Sequence, residues 1–180
     1  VSPGSTSITF DHPAEHGYVQ QGTSEFIRWR CRGVDDNEGT HRSQRYGQLA
    51  LTTPVSLSGQ QYLQFDFWYN WNETPSLNRL FVDLRDASGN PLTTEYLSVS
   101  SCVSGSPVME YNKWITLKLD LDKMGVNRSG TVASIRIGYD LGRNVYIRNV
   151  SFQPVTTVQS SQVGFVTPQN DIPDYGTAST

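Results

Sequence analysis

The sequence predicts an all-β protein, a two-sheet antiparallel β-sandwich. Three observations predict it. Apolar and polar residues alternate with a period of two in segment after segment, which sends one set of side chains to each face of a strand. These segments are separated by Gly, Pro, Asn and Asp, the residues that turns demand. No stretch of helical periodicity longer than about two turns interrupts them. At 180 residues, the chain is long enough to bury a core without metal or disulfide staples.

Residues 7–10 alternate briefly. Residues 25–31 (EFIRWRC) put Ile27, Trp29 and Cys31 on one face and Arg28 and Arg30 on the other. Residues 48–51 follow a polar loop, with Leu49 and Leu51 inward. The strongest signal is residues 62–71 (YLQFDFWYNW): Leu63, Phe65, Phe67 and Tyr69 share one face, Gln64, Asp66, Trp68 and Asn70 the other. Residues 80–85 (LFVDLR) repeat the pattern, with Leu80, Val82 and Leu84 inward. Residues 86–91 (DASGNP) read as a hairpin turn, with residues 94–100 as the returning strand. Residues 114–120 turn Ile115, Leu117 and Leu119 inward, and residues 121–125 suit one helical turn. Residues 133–139 and 145–152 complete about nine or ten strands. Two packed sheets, each with one wet face, are the expected solution. The sandwich is expected over residues 1–155. Beyond it, residues 156–180 are rich in Thr, Ser, Gln and Pro and read as a tail or linker, packed in part through Phe165.

Charged residues make up 17% of the chain, against roughly 25% in soluble proteins generally. Gly, Ser, Thr, Asn and Tyr take their place, a mix common in extracellular β proteins. A net charge of −3 with interspersed signs argues against nucleic acid, which needs a concentrated basic face. Arg28, Arg30 and Arg32 form the one close basic cluster; they would meet an anion or pair with Asp35, Asp36 and Glu38. Cys31 and Cys102 either close a long loop, adding roughly 3–5 kcal/mol, or remain two free buried thiols. No apolar run is long enough to span a membrane as a helix. The opening Val1-Ser2-Pro3-Gly4 lacks the features of a signal peptide and is expected to be a mature N-terminus or a boundary within a longer chain. Asn72, Asn127 and Asn149 begin N-glycosylation patterns. A secreted or cell-surface location and further domains in the full-length protein are expected.

Residues 111–120 (YNKWITLKLD), 132–137 (VASIRI) and 144–152 (NVYIRNVSF) resemble, in this order, the closing strands of jelly-roll carbohydrate-binding modules. Residues 63–70 (LQFDFWYN) and 80–84 (LFVDL) are similar to the N-terminal, non-catalytic jelly-roll domain of bacterial chondroitin-lyase-type enzymes. The resemblance covers roughly residues 40–153. It implies a jelly roll, a polysaccharide or glycan as partner, and in many such modules a structural calcium. Asp11 and Asn149 are the residues it would assign to that Ca2+. The family's acidic residue in the last strand is Arg148 here, which removes one of the anionic oxygens calcium favours.

Catalytic apparatus is not evident. Asp66 and Asp83 are candidates for a hydrolytic carboxylate pair, which a fold must hold about 5–10 Å apart, if both project from one outer face of adjacent strands. Arg85, Arg136 and Lys118 would share that face and pair with them. The Glu-x-Asp-x-x-Glu strand of jelly-roll glucanases and the motifs of jelly-roll alginate lyases are missing. His12, His16 and His41 sit in polar, loop-like stretches and read as surface residues. The aromatics are more informative. A sugar presents an apolar C–H face and a rim of hydroxyls, which a flat exposed ring and planar polar groups can match. Trp68 lies on the polar face of its strand, Trp71 follows it, and Trp114 opens a strand in outward phase. The expected ligand-binding set is therefore Trp68, Asp66, Asn70, Gln64, Arg85, Arg136 and Trp71, and the arginines would favour an acidic glycan if the lyase-like resemblance extends to ligand class. The rival reading is a structural or protein-interaction sandwich of an enzyme, adhesin or viral fibre that binds no sugar. An unrecognised enzyme is the third.

Overall fold

A computed structural model describes residues 5–10, 46–139 and 144–155 and, as backbone, residues 15–16, 19–20 and 27–30. Its strands are β1 (Thr6–Ser7), β2 (Glu15–His16), β3 (Val19–Gln20), β4 (Ile27–Arg30), β5 (Tyr46–Ser56), β6 (Gln60–Tyr69), β7 (Leu80–Arg85), β8 (Leu97–Ser98), β9 (Ile115–Asp120), β10 (Thr131–Tyr139) and β11 (Asn144–Pro154). They form a seven-stranded sheet ordered β2-β3-β4-β11-β6-β9, with β1 also on β11, and a four-stranded sheet ordered β5-β10-β7-β8. From β4 onward the pairs are nested: β4 with β11, β5 with β10, β6 with β9, β7 with β8. Every pair is antiparallel. A long hairpin of strand pairs rolled over itself is a jelly roll, so each connection from β5 to β7 carries the chain from one sheet to the other.

The alternation in the sequence sets the interior. β6 buries Leu63, Phe65, Phe67 and Tyr69, each at most 1% exposed. Facing them across the sandwich are Leu80, Val82 and Leu84 of β7 and Ile135, Ile137 and Tyr139 of β10. The Tyr69 and Tyr139 rings lie 4.8 Å apart. The Tyr139 hydroxyl accepts the Ser76 N–H, so the polar tip of a buried ring has a partner. Each fully buried Leu or Phe contributes about 1.5–3 kcal/mol, and this shared interior holds the two sheets together.

Sheet edges are covered in two places. The Thr52 N–H bonds Thr9 and Phe10 bridges Leu51 on β5, while Ile8 bonds Val150 on β11. Residues 5–10 thus stitch one sheet to the other. On β9, Cys102 and Val103 pair along the free edge through Asp120 and Leu119. Both devices remove open backbone groups that would template pairing with other chains. Pro54 falls within β5, an edge strand, where a missing N–H costs the ladder least.

The returning strand expected at residues 94–100 shrinks to β8, followed by a 3-10 turn at Val99–Ser101. The cause is a buried charge cluster. Asp83, 2% exposed, receives the Arg136 guanidinium in a bidentate pair, with Nε 2.7 Å and Nη2 2.5 Å from its two oxygens. It also accepts the Tyr96 N–H at 3.1 Å, which withdraws that donor from any ladder. Tyr96 adopts φ 51° and its ring lies 4.7 Å from the Arg136 guanidinium. Arg85 pairs with Asp83 and Glu95. Burial works against the Arg85 charge, and the bonds to Glu95 and Asp83 outweigh it, holding its pKa above the ordinary value.

Cys102 is a free, buried thiol; Cys31 lies outside the described residues. Burial, reinforced by the Asp120 charge, pushes the Cys102 pKa from 9.0 up to about 11. A folded-state thiol raised in this way contributes stability below about pH 9 that is lost as pH rises toward about 11. In a Cys31→Ser background, alkylation of the native protein at pH 8 should be at least about 100-fold slower than in urea, as the lower thiolate fraction dictates; equal rates would show the thiol accessible.

Asp83→Ala should cost about 3–5 kcal/mol in urea unfolding, because it leaves two buried guanidiniums without their shared counter-ion. Asp83→Leu combined with Arg136→Met should recover most of that loss. A single-variant loss under about 1 kcal/mol would show that the cluster is dispensable.

Candidate functional site

The wet face of the seven-stranded sheet is laid out by the register of three strands. β11 places Tyr146 opposite Trp68 and Arg148 opposite Asp66. β9 places Thr116 opposite Asp66 and Lys118 opposite Gln64. Trp114 immediately precedes β9, beside the Phe67–Ile115 pair. Two rows therefore cross β11, β6 and β9. One is aromatic: Tyr146, Trp68 and Trp114. The next is polar: Arg148, Asp66 and Thr116.

The aromatic row is built by contact as well as register. The Trp68 and Trp114 rings meet edge to face, 5.5 Å apart at 63°, a favoured geometry for aromatic pairs. Both indoles are half-buried, each presenting part of its surface to solvent. The Arg148 guanidinium carbon lies 4.0 Å from the Trp114 ring, within cation–π range. Lys118 takes a similar position, its ammonium 4.2 Å from the Tyr62 ring.

Asp66 is the hub of the polar row. One oxygen accepts the Thr116 hydroxyl at 2.8 Å. The other accepts Arg148 Nε at 3.1 Å and Asn149 Nδ2 at 2.9 Å. One carboxylate thus ties β9 and β11 to β6 and fixes the guanidinium over Trp114. The Asn149 contact depends on a β-bulge. The register slips between Arg148 and Ser151, so Asn149 and Val150 together face Phe65. Asn149 takes φ 53°, which Asn tolerates better than most residues, and the extra residue turns its amide to the outer face.

The structure separates the expected ligand set. Gln64, Asp66 and Trp68 share the outer face of β6. Asn70 and Trp71 follow at the end of the strand, and Trp71 is 47% exposed. Tyr111, 45% exposed, reaches the same end, because the Asn112 N–H bonds the Tyr69 carbonyl. Arg85 and Arg136 lie on the outer face of the four-stranded sheet instead, held by Asp83. The chain crosses between sheets after β6, so strands consecutive in sequence are not neighbours in space. The same crossing corrects the carboxylate pair: Asp66 and Asp83 face opposite sides of the sandwich, Asp66 paired with Arg148 and Asp83 with Arg85 and Arg136.

Of the residues assigned to calcium, Asn149 directs its amide nitrogen to Asp66 and Asp11 lies outside the described residues. Among the described residues no group of three or more His, Cys, Asp or Glu is gathered for a metal, and no helix is long and apolar enough to cross a membrane. His12, His41, Arg32, residues 156–180, and the side chains of His16, Arg28, Trp29 and Arg30 are likewise outside the description. Register alone places Arg28 opposite Tyr146. Arg148, Tyr146, Thr116 and Trp114 were not in the expected set; the outward phase of their strands was readable, but their convergence on Asp66 and Trp68 required the pairing order.

No protein-family model matches the chain, and no curated protein matches it. Among solved structures, the chain is similar to a family 30 carbohydrate-binding module of a cellulosomal cellulase of Clostridium thermocellum, at 13% identity and TM-score 0.47, over 84% of this chain and 95% of that one. It is similar to another family 30 carbohydrate-binding module at 15% identity and TM-score 0.48, over 87% and 86%. A family 11 module of a second Clostridium thermocellum cellulase gives 11% identity and TM-score 0.40, over 88% and 87%. These likenesses give no support to the lyase half of the resemblance seen in the sequence. The jelly-roll topology stands on the nested strand pairs of this chain.

Asp66→Ala should destabilise the protein by about 1–3 kcal/mol in urea unfolding, because three donors on two neighbouring strands lose their acceptor. Asp66→Asn, which keeps an acceptor oxygen, should cost less. Equal stability of Asp66→Ala and the parent would remove Asp66 as the organiser of this face.

Proposed function

We propose that the wet face of the seven-stranded sheet binds a polysaccharide or glycan, and that the protein is a non-catalytic carbohydrate-binding module of a larger secreted or cell-surface protein. The observation that carries this reading is the row of Tyr146, Trp68 and Trp114 across three adjacent strands, with Arg148, Asp66 and Thr116 in the row beside it. Partly exposed rings on a rigid sheet offer flat apolar surface with little conformational entropy left to lose. The neighbouring polar groups match the hydroxyl rim of a sugar. Trp71 and Tyr111 lie where a chain leaving the row past the end of β6 would meet further rings.

A hydrolytic reading lacks its pair. Asp66 and Asp83 are on opposite faces, and each already accepts bonds from cationic or hydroxyl neighbours. A purely structural sandwich offers no reason to gather three rings on the solvent side of one sheet, since exposed apolar patches usually mark interaction surfaces.

Affinity electrophoresis through gels containing soluble polysaccharides tests the reading. The parent should be retarded by at least one polysaccharide. Trp68→Ala and Trp114→Ala should each weaken binding about tenfold or more, roughly 1.4 kcal/mol, with unchanged far-UV circular dichroism. Retardation that both variants retain would move the site elsewhere.

A further inference from the structure

We infer that the ligand of this face is an acidic glycan, a uronate-bearing chain whose carboxylate is taken by Arg148; this rests on the glycan-binding reading above. The argument is one of unfilled hydrogen-bonding capacity around the rings. Asp66, the carboxylate of the polar row, already accepts three bonds, from Thr116, Arg148 and Asn149. Arg148 is differently placed. Its Nε is bound to Asp66 and its guanidinium lies over Trp114, while Nη1 and Nη2 bond nothing among the described residues. Its side chain is 32% exposed. One row on, Lys118 makes a ring contact with Tyr62 and, among the described residues, no ion pair. In the row after that, Asp120 accepts the Gln61 amide and the Asp122 N–H. The charged side chains of these first two rows with most hydrogen-bonding capacity left over are therefore Arg148 and Lys118, both cations.

The geometry is suited to a carboxylate. A guanidinium held at Nε by Asp66 and 4.0 Å from an indole is restrained from two sides, and its two Nη groups remain to be engaged. Two parallel N–H donors on a planar fork match a carboxylate bidentately. A uronate lying against Trp68 would bring its C–H face to the ring and its carboxylate to that fork. Neutral sugars, whose hydroxyls donate as often as they accept, would find the carboxylate of this row already holding three bonds. The opposite sheet provides the contrast: Arg136 there lies against Tyr96 and holds the Asp83 carboxylate through Nε and Nη2 together, where Arg148 meets Asp66 through Nε alone.

The test uses four polyuronides (polygalacturonate, alginate, hyaluronan and chondroitin) beside their carboxyl-reduced forms, with neutral β-glucan, xylan and galactomannan, in affinity electrophoresis and calorimetry on the full chain. At least one polyuronide should bind about tenfold or more tightly than its carboxyl-reduced form. Arg148→Gln should abolish that preference while leaving residual binding to the reduced chain. Arg148→Lys, a point charge without the fork, should restore only part of it. Raising sodium chloride from 50 to 500 mM should weaken the acidic ligand and not the reduced one. Binding of neutral glycans alone, weakened by Trp68→Ala and indifferent to Arg148→Gln, overturns the acidic assignment and leaves the glycan-binding face standing. Binding of sulfated chains only, tested with dextran sulfate, also overturns the uronate. Retardation by none of these glycans overturns both. Thermal unfolding of each variant separates loss of fold from loss of binding.

Discussion

β11 pairs with β6 along most of its length and gives its other edge first to β4 and then to β1. It is the strand through which the large sheet is assembled. Its register on β6 is held by apolar burial: Val145, Ile147 and Phe152 lie opposite Tyr69, Phe67 and Leu63, all buried. A slip by one residue would send every one of these to solvent, so the register is strongly specified. Once it is fixed, the opposite face follows without further choice. Tyr146 must stand beside Trp68, and Arg148 beside Asp66. The proposed binding face is the reverse side of the core.

The bulge at Asn149 and Val150 lets one strand serve both purposes. Before it, the odd-numbered residues Val145 and Ile147 point inward; after it, the even-numbered Val150 and Phe152 do. The extra residue shifts the phase and leaves Asn149 on the wet side, within reach of Asp66. A straight strand would have buried an amide there or lost the packing of Phe152. Bulges commonly re-aim a side chain beside a functional surface, and here the re-aimed side chain helps fix the orientation of Arg148 through their common acceptor.

Much of this was legible in the sequence. Period-two alternation placed the inward residues of β6, β7 and β9 correctly, because burial on one face is what that pattern encodes. The outward phase of Trp68 and Trp114 was equally readable. The pairing order was not, since alternation says which face a residue takes and nothing about which strand lies beside it. That gap put Arg85 and Arg136 in the company of Trp68, whereas the chain crosses to the other sheet before reaching them. The shortened β8 was also hidden: its ladder is broken by Asp83 capturing the Tyr96 N–H, a contact set by tertiary placement. The phase shift in residues 145–152 was visible as Val145, Ile147, then Val150, Phe152, with Asn at the break. Read as a bulge, it would have moved Asn149 from a calcium ligand to a neighbour of Arg148.

The two wet faces show why similar residues carry different consequences. Both have an aspartate on the central part of the sheet, an arginine opposite it, and an aromatic ring under the guanidinium. On the small sheet, residues 92–96 fold over the cluster, Arg136 is 7% exposed, and its Nε and Nη2 both close on Asp83. Such a cluster can hold a loop, but desolvation leaves it little net gain in stability. On the large sheet no described segment covers the equivalent pair, Arg148 engages Asp66 through Nε alone, and its side chain is 32% exposed. The difference between a buried clasp and an open pair therefore lies in whether Nη2 joins Nε on the carboxylate, and the placement of that carboxylate is set by strand register and, on the large sheet, by the bulge beside it.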